Sequence, residues 1–210
     1  MTTDPPPTAL PMTRRDAAKR IAPRAALFVW FAVMLAIGAT LMARHAVALP
    51  RPEVDADFTR AMSTFRTPRD AGRWMAVHVL YAECRCSQRI ADHLLATTRP
   101  ADVVEQVLLV GHGAEIEARL VSHGFRVTVV EPEQLAERYH VVAVPLFVVV
   151  APDGTIRYAG GYTTRKQGPD PRDLELIAAA KTDGPLDALP IFGCPVNEQL
   201  AQTLNPLGLP

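Results

Sequence analysis

Between residues 71 and 182, short apolar runs alternate with segments whose apolar positions recur every three or four residues. RWMAVHVLYA (73–82), DVVEQVLLVG (102–111) and FRVTVVE (125–131) read as strands from their β-branched and aromatic content. CSQRIADHLLATT (86–98) places Ile90, Leu94 and Leu95 at helical spacing. AEIEARLVSHG (114–124) is a helix closed by its glycine, and PEQLAERYH (132–140) is one opened by Pro132. VVAVPLFVVV (141–150) is apolar throughout, too short for a bilayer and rich in valine. It predicts a buried central strand with Pro145 at its start, where a strand tolerates proline. APDGT (151–155) predicts a tight turn that returns IRYAGGY antiparallel, and DPRDLELIAAAK (170–181) a closing helix. The resulting order is β-α-β-α-β-α-β-β-α, an α/β domain with helices flanking a mixed sheet.

A different pattern fills residues 25–43, where AALFVWFAVMLAIGATLMA runs 19 residues without a charge. At ~1.5 Å per residue it reaches roughly 28 Å, about the thickness of a bilayer's hydrocarbon core. This predicts a transmembrane anchor. The rival is a cleaved signal peptide, for which AVA at 46–48 supplies a small-x-small site, but typical apolar regions of signals are only ~7–15 residues. The paired arginines of TRRDAAKR lack the apolar residues that follow a twin-arginine signal. Arg14, Arg15, Lys19, Arg20 and Arg24 precede the span, while Arg44, Arg51 and Arg60 follow it among Glu53, Asp55 and Asp57. That bias puts the N-terminus in the cytoplasm and residues 44–210 outside, in a bacterium the periplasm. The expected organisation is a cytoplasmic tail (1–24), the anchor (25–43), a linker (44–70) turning helical around DADFTRAMSTF, the α/β domain (71–182) and a C-terminal extension (183–210).

Charge and composition exclude some functions. Lys plus Arg and Asp plus Glu are equal at 22 each, so no basic footprint for nucleic acid exists. The 19 prolines cluster at the ends and at segment edges, which keeps the middle compact. No internal repeat and no nucleotide-binding glycine loop occurs. GHG at 111–113 punctuates a strand end, and the histidines show no metal-ligand spacing.

Chemistry concentrates in LYAECRCSQRI (80–90), which holds Cys84 and Cys86, two of only three cysteines. They sit where a strand gives way to a helix. A helix N-terminus favours thiolate over thiol through its unpaired N–H groups and dipole, and Arg85 and Arg89 add positive charge. Residues two apart on a helix point to different faces, so a Cys84–Cys86 bond needs Cys84 to lie just before the first turn. The alternative spacing pairs Cys84 with Ser87. The third cysteine, Cys194, precedes Pro195 at the edge of a helix expected at about 196–204. It is either a resolving partner for Cys84 or Cys86, or a packed thiol that anchors the tail through Ile191 and Phe192.

The element order, the cysteines at the start of the first helix, and YHVVAVPLFVVVAPDGTIRYAGG together resemble the thioredoxin superfamily. The likeness is to its membrane-anchored TlpA/ResA-like thiol–disulfide exchange proteins and covers about residues 70–182. It implies a thioredoxin-like fold and a cis Val144–Pro145 peptide lying against the cysteines, with Val144 and Pro145 shaping a substrate groove. It also implies thiol–disulfide exchange with protein substrates, with Cys84 attacking and Cys86 resolving, no cofactor, and a membrane or periplasmic redox partner. The family's Cys-x-x-Cys is replaced here by Cys-x-Cys. Two other readings stay open: a copper chaperone using Cys84, Cys86 and His140, since thiolates favour Cu(I), and a redox-inert docking domain.

Overall fold

The computed structural model describes residues 14–45, 47–166, 168, 170–182, 184 and 186–204 and divides into two units, meeting in sequence between Ala46 and Val47. The described residues of the first form one helix, α1 (Arg14–His45), so residues 14–24 of the expected tail are helical. Leu27, Phe28, Trp30, Phe31 and Leu35 are exposed along it. The expected span extends to Ala43, beyond residue 40, the last in α1 whose side chain is described. Among the described residues no helix is long and apolar enough to cross a membrane.

In chain order the second unit comprises α2 (Ala56–Ser63), β1 (Trp74–Tyr81), α3 (Arg85–Ala96), β2 (Val103–Val110), α4 (Ala114–Ser122), β3 (Arg126–Val130) and α5 (Pro132–Tyr139). It continues with β4 (Ala143–Val144), β5 (Leu146–Val150), β6 (Ile156–Gly160), α6 (Asp173–Ala180), β7 (Cys194–Pro195) and α7 (Glu198–Leu204). The main sheet has the order β3-β2-β1-β5-β6. The β1–β2 and β2–β3 pairs are parallel; β1–β5 and β5–β6 are antiparallel. Alternation along β1 divides the core. Met75, Val77 and Val79 pack with Phe58 and Met62 of α2 and Leu135 of α5. Ala76 and Leu80 face Ile90 and Leu94 of α3, Leu120 of α4 and Ile177 of α6. This mixed sheet flanked by helices fits a thioredoxin-like fold.

Two sequence expectations need correction. Residues 47–70 form part of the core instead of a linker. Asp55 Oδ1 accepts a 2.8 Å bond from the Phe58 N–H and so caps α2, whose Phe58 and Met62 are fully buried. The apolar run 141–150 is also not one strand. Pro145 interrupts it, its peptide bond to Val144 is cis, and the two halves join different sheets: β5 the main one, β4 a small one with β7. Proline has no N–H to give a ladder, so the strand changes partner there. The APDGT turn forms as expected, with Gly154 at φ 90° and its N–H bonded to the Ala151 carbonyl at 2.9 Å.

Asp70 ties the 47–70 segment to the sheet. Its buried carboxylate pairs with Arg126 of β3 at 2.6 Å and accepts the Thr67 N–H and hydroxyl. The hydrogen bond from Arg126, ahead of the opposing effect of burial, holds Asp70 well below the usual carboxylate range. A depressed folded-state pKa contributes stability that is full above the unfolded value, about 3.9, and is lost as pH falls toward the lower folded value. Acid unfolding of Asp70→Asn should therefore lose part of its pH dependence below about pH 4; an unchanged acid limb would show Asp70 titrating as it does in the unfolded chain. Phe58→Ala should cost ~3–5 kcal/mol in urea denaturation, the range for a fully buried aromatic, whereas a linker residue would cost almost nothing.

Candidate functional site

Cys84 is the N-cap of α3. Its backbone is extended (φ −86°, ψ 118°) and its carbonyl accepts the first helical bond, from the Gln88 N–H at 2.9 Å. The side chain makes no capping bond because its sulfur is joined to that of Cys194. The two Cα atoms are 6.3 Å apart and the bridge spans 110 residues of sequence. Cys86 is free and half-buried. Of the partners left open by the sequence, the structure thus bonds Cys194 to Cys84, and the expected Cys84–Cys86 pair is not the bonded one. The physical reason is tertiary: Cys84 does lie just before the first turn, but the pairing of Cys194 opposite Val144 brings the Cys194 sulfur to it from the tail. Ser87, at the three-residue spacing, is fully buried, and its hydroxyl has no partner among the described groups. Arg85 lies exposed at the first helical position.

The C-terminal extension reaches Cys84 because it adds a strand to the domain. β7 pairs antiparallel with β4, placing Cys194 opposite Val144 and Pro195 opposite Ala143, and the Val196 N–H donates to the Val142 carbonyl at 2.9 Å. Upstream, the Gly161 N–H donates to the Leu189 carbonyl at 2.9 Å, and the Leu49 N–H to the Ile191 carbonyl at 2.8 Å. The Leu189 N–H reaches the Tyr158 hydroxyl at 3.2 Å; burial pushes that phenol up to about 12 and keeps it neutral. Ile191 is fully buried. Between Ile191 and Cys194 the chain crosses the cis bond at Gly193, where any Cβ would overlap the Val144 carbonyl and the Pro145 ring. Glycine is required there by close approach alone.

Cys86 faces a pocket of about 100 Å³ that it lines with Arg89, His93, Pro145, Tyr162 and Phe192. Cys84 itself is 2% exposed. Behind the pocket lies a charged network that the sequence did not reveal. His78 in β1 is fully buried, stacked on Phe147, with Nε2 at 2.6 Å from Glu105 Oε2 and Nδ1 at 2.8 Å from the Tyr162 hydroxyl. Since an ionised carboxylate only accepts, Nε2 carries the hydrogen of the contact with Glu105. Arg99 bridges Glu105 (Nε–H to Oε1, 3.1 Å) and Asp173 (ion contact, 2.6 Å), and Asp173 also accepts from His93 Nε2 at 2.7 Å. Burial alone would raise the Asp173 carboxyl, but Arg99, His78 and His93 outweigh it and hold it below its ordinary value. Burial, reinforced by Asp173, drives the Tyr162 phenol far upward, so it stays a donor. Two pocket-lining rings, His93 and Tyr162, are thereby locked from behind.

His140, the third ligand of the copper reading, caps α5 in a left-handed conformation (φ 55°) and is exposed. Among the described residues no group of three His, Cys, Asp or Glu side chains is gathered to hold a metal ion.

Removing Asp173 should leave His93 without its carboxylate partner and Arg99 with Glu105 alone. Asp173→Ala is expected to lose ~3–5 kcal/mol in urea denaturation, the cost of breaking a buried ion pair from one side. Gly193→Ala should prevent β7 from seating. Thiol titration of the unfolded, air-oxidised variant should then find three free thiols, where the parent has one.

No family model and no curated protein matches the sequence. Solved structures give distant matches. An uncharacterized conserved protein from Geobacillus kaustophilus is 16% identical with a TM-score of 0.47, covering 61% of this chain and 78% of that one. A hypothetical protein from Sinorhizobium meliloti 1021 is 16% identical with a TM-score of 0.46, covering 72% of this chain and 91% of that one. The thioredoxin domain of a thiol-disulfide oxidoreductase from Bacteroides vulgatus is 16% identical with a TM-score of 0.37, covering 54% of this chain and 80% of that one.

Proposed function

We propose that the chain exchanges disulfides with cysteines of other proteins by opening and closing the Cys84–Cys194 bond. The observation that carries this reading is a disulfide whose inner sulfur sits at a helix N-cap, with a half-exposed partner on a two-residue strand. A thiolate of a dithiol donor attacks Cys194 Sγ, which is more accessible than Cys84, and Cys84 leaves as thiolate. The donor's second thiolate then displaces Cys194. The donor ends as a disulfide and the chain as two thiols, a two-electron transfer. Unpaired N–H groups in the first turn of α3 favour the departing Cys84 thiolate. In the forward half-reaction that thiolate attacks a substrate disulfide, one substrate sulfur leaves, and Cys194 attacks Cys84 in the mixed disulfide. This releases a substrate dithiol and restores the bond. The reverse sequence oxidises a substrate, so direction is set by the reduction potential of the partner.

The same proposal places the domain in the periplasm of a bacterium on an uncleaved single-pass anchor, residues 25–43, in contact with the lipid bilayer. The uncharged 19-residue run, the bias of Lys and Arg to its N-terminal side and the exposed apolar side chains of α1 support this. One span carries no electrons, so the reductant or oxidant is a separate membrane or periplasmic redox partner.

Equilibration across glutathione redox ratios, followed by alkylation and mass mapping, tests the exchange. The expected result is a reversible two-electron transition of Cys84–Cys194, retained in Cys86→Ser and abolished in Cys84→Ser. A bond that stays closed throughout would behave as a structural disulfide, for which potentials below about −300 mV are usual, and the exchange reading would fall. A reporter fused after Pro210 should be active only outside the cytoplasm.

A further inference from the structure

The disulfide fixes where a cysteine of another protein would have to stand. Cys84 is almost wholly buried, and its bonded sulfur belongs to a residue directly across from Val144. Any sulfur joined to Cys84 in the same geometry takes the place of Cys194 Sγ, and the backbone carrying it runs along β4. That place is filled by the chain's own tail. Resting on the exchange reading above and its substrate groove at Val144 and Pro145, the geometry points to a partner protein whose extended segment carries a glycine directly before the cysteine. β7 is an intramolecular stand-in for that segment and has to peel away before the partner is seated.

Each feature of the recognition is read from what the tail does. The partner strand runs antiparallel to β4 and donates a backbone N–H to it, as Val196 does to the Val142 carbonyl. The residue before the cysteine meets the Val144 carbonyl and the Pro145 ring, which leave no space for a Cβ. The residue two before the cysteine, Phe192 in the tail, lines the pocket beside Tyr162 and Pro145 and asks for an apolar or aromatic side chain.

The tail is also built to leave. Its firm attachments end at Ile191, with the backbone bonds to Gly161 and Leu49. Beyond that point it is held by the two-residue pairing with β4, by the disulfide, and by half-buried Val196, Leu200 and Leu204 against the core. The seam between α5 and α7 is an open cleft of about 500 Å³ whose lining includes Glu133, Glu137 and Glu198 and no cation. Like charges there oppose closure. Once a dithiol donor has reduced the bond, the covalent restraint is gone and a partner strand competes with β7 on backbone pairing and on the apolar contacts of a half-buried tail.

The test uses full-length protein carrying Cys86→Ser and Cys194→Ser, with synthetic peptides PIFGCPVN and PIFLCPVN, each activated at cysteine as a mixed disulfide with thionitrobenzoate. Cys84 thiolate attacks the peptide sulfur and releases the coloured thiolate, so capture is read directly. The glycine peptide should react roughly ten-fold faster or more, a modest estimate for relieving a backbone overlap. In the captured complex the amides at positions 194 and 196 should lose protection from hydrogen exchange while β1 and β2 keep theirs. A second measurement needs no variant: reducing the wild-type chain should raise exchange at Val196 and leave β1 unchanged. Equal rates for the two peptides, or retained protection at 194 and 196, overturn the inference. So does a reduced wild-type chain that reoxidises into a dimer linked from Cys84 to a second copy's Cys194. Absence of any capture overturns it as well; a reversible glutathione transition would then leave the exchange reading standing, and no transition would remove both.

Discussion

Residues 143–150 are shared between two different sheets, and the change of sheet at Pro145 is the constraint on which the site depends. Before the proline the strand gives its edge to β7; after it the strand enters the main sheet between β1 and β6. Because proline has no N–H, the break costs the ladder only one donor. Everything that meets at Cys84 follows from this. The freed edge is where the tail adds a strand, the added strand carries Cys194, and the approach across Pro145 demands Gly193.

Behind this edge the domain invests in rigidity where the chemistry does not move. His78, Glu105, Arg99, Asp173 and His93 link β1, β2 and α6 to α3 through one run of buried ion pairs and hydrogen bonds. Such a network is costly to desolvate and is held only if nearly every member is paired. Its yield is positional: α3, which carries Cys84 and Cys86 at its start, is fastened to the sheet by its C-terminal half, while its first turn faces the tail.

Much of the fold was legible in the sequence. The alternation of valine-rich runs with helical periodicity located β1, β2, β3 and their helices within a residue or two, since long buried strands and amphipathic helices have little freedom to be anything else. The strand at 141–150 was misread as continuous because hydrophobicity reports burial and not which neighbour a backbone pairs with. The 47–70 segment read as a linker because its buried residues, Leu49, Phe58, Met62 and Phe65, are spaced too widely to form a run. At the site, Cys84 stood out by its place where a strand gives way to a helix, Val144 and Pro145 through the family resemblance, and Cys194 by being an odd cysteine. Nothing local could choose its partner, because the pairing spans 110 residues and is set by a two-residue strand. The charged network was invisible for the same reason: His78 and Asp173 are ordinary in their own segments and become partners only across the folded sheet.

The bridge also changes how this molecule would carry tension. A pull entering near Val47 and leaving near Leu204 runs through α2 and β1 to Cys84, crosses two sulfur atoms to Cys194 and exits along α7. Residues 85–193, with most of the sheet, lie off that load path for as long as the bond is closed. Opening it would put more than half of the chain in series with the pull, so the redox state of one bond sets how far the domain can be drawn out.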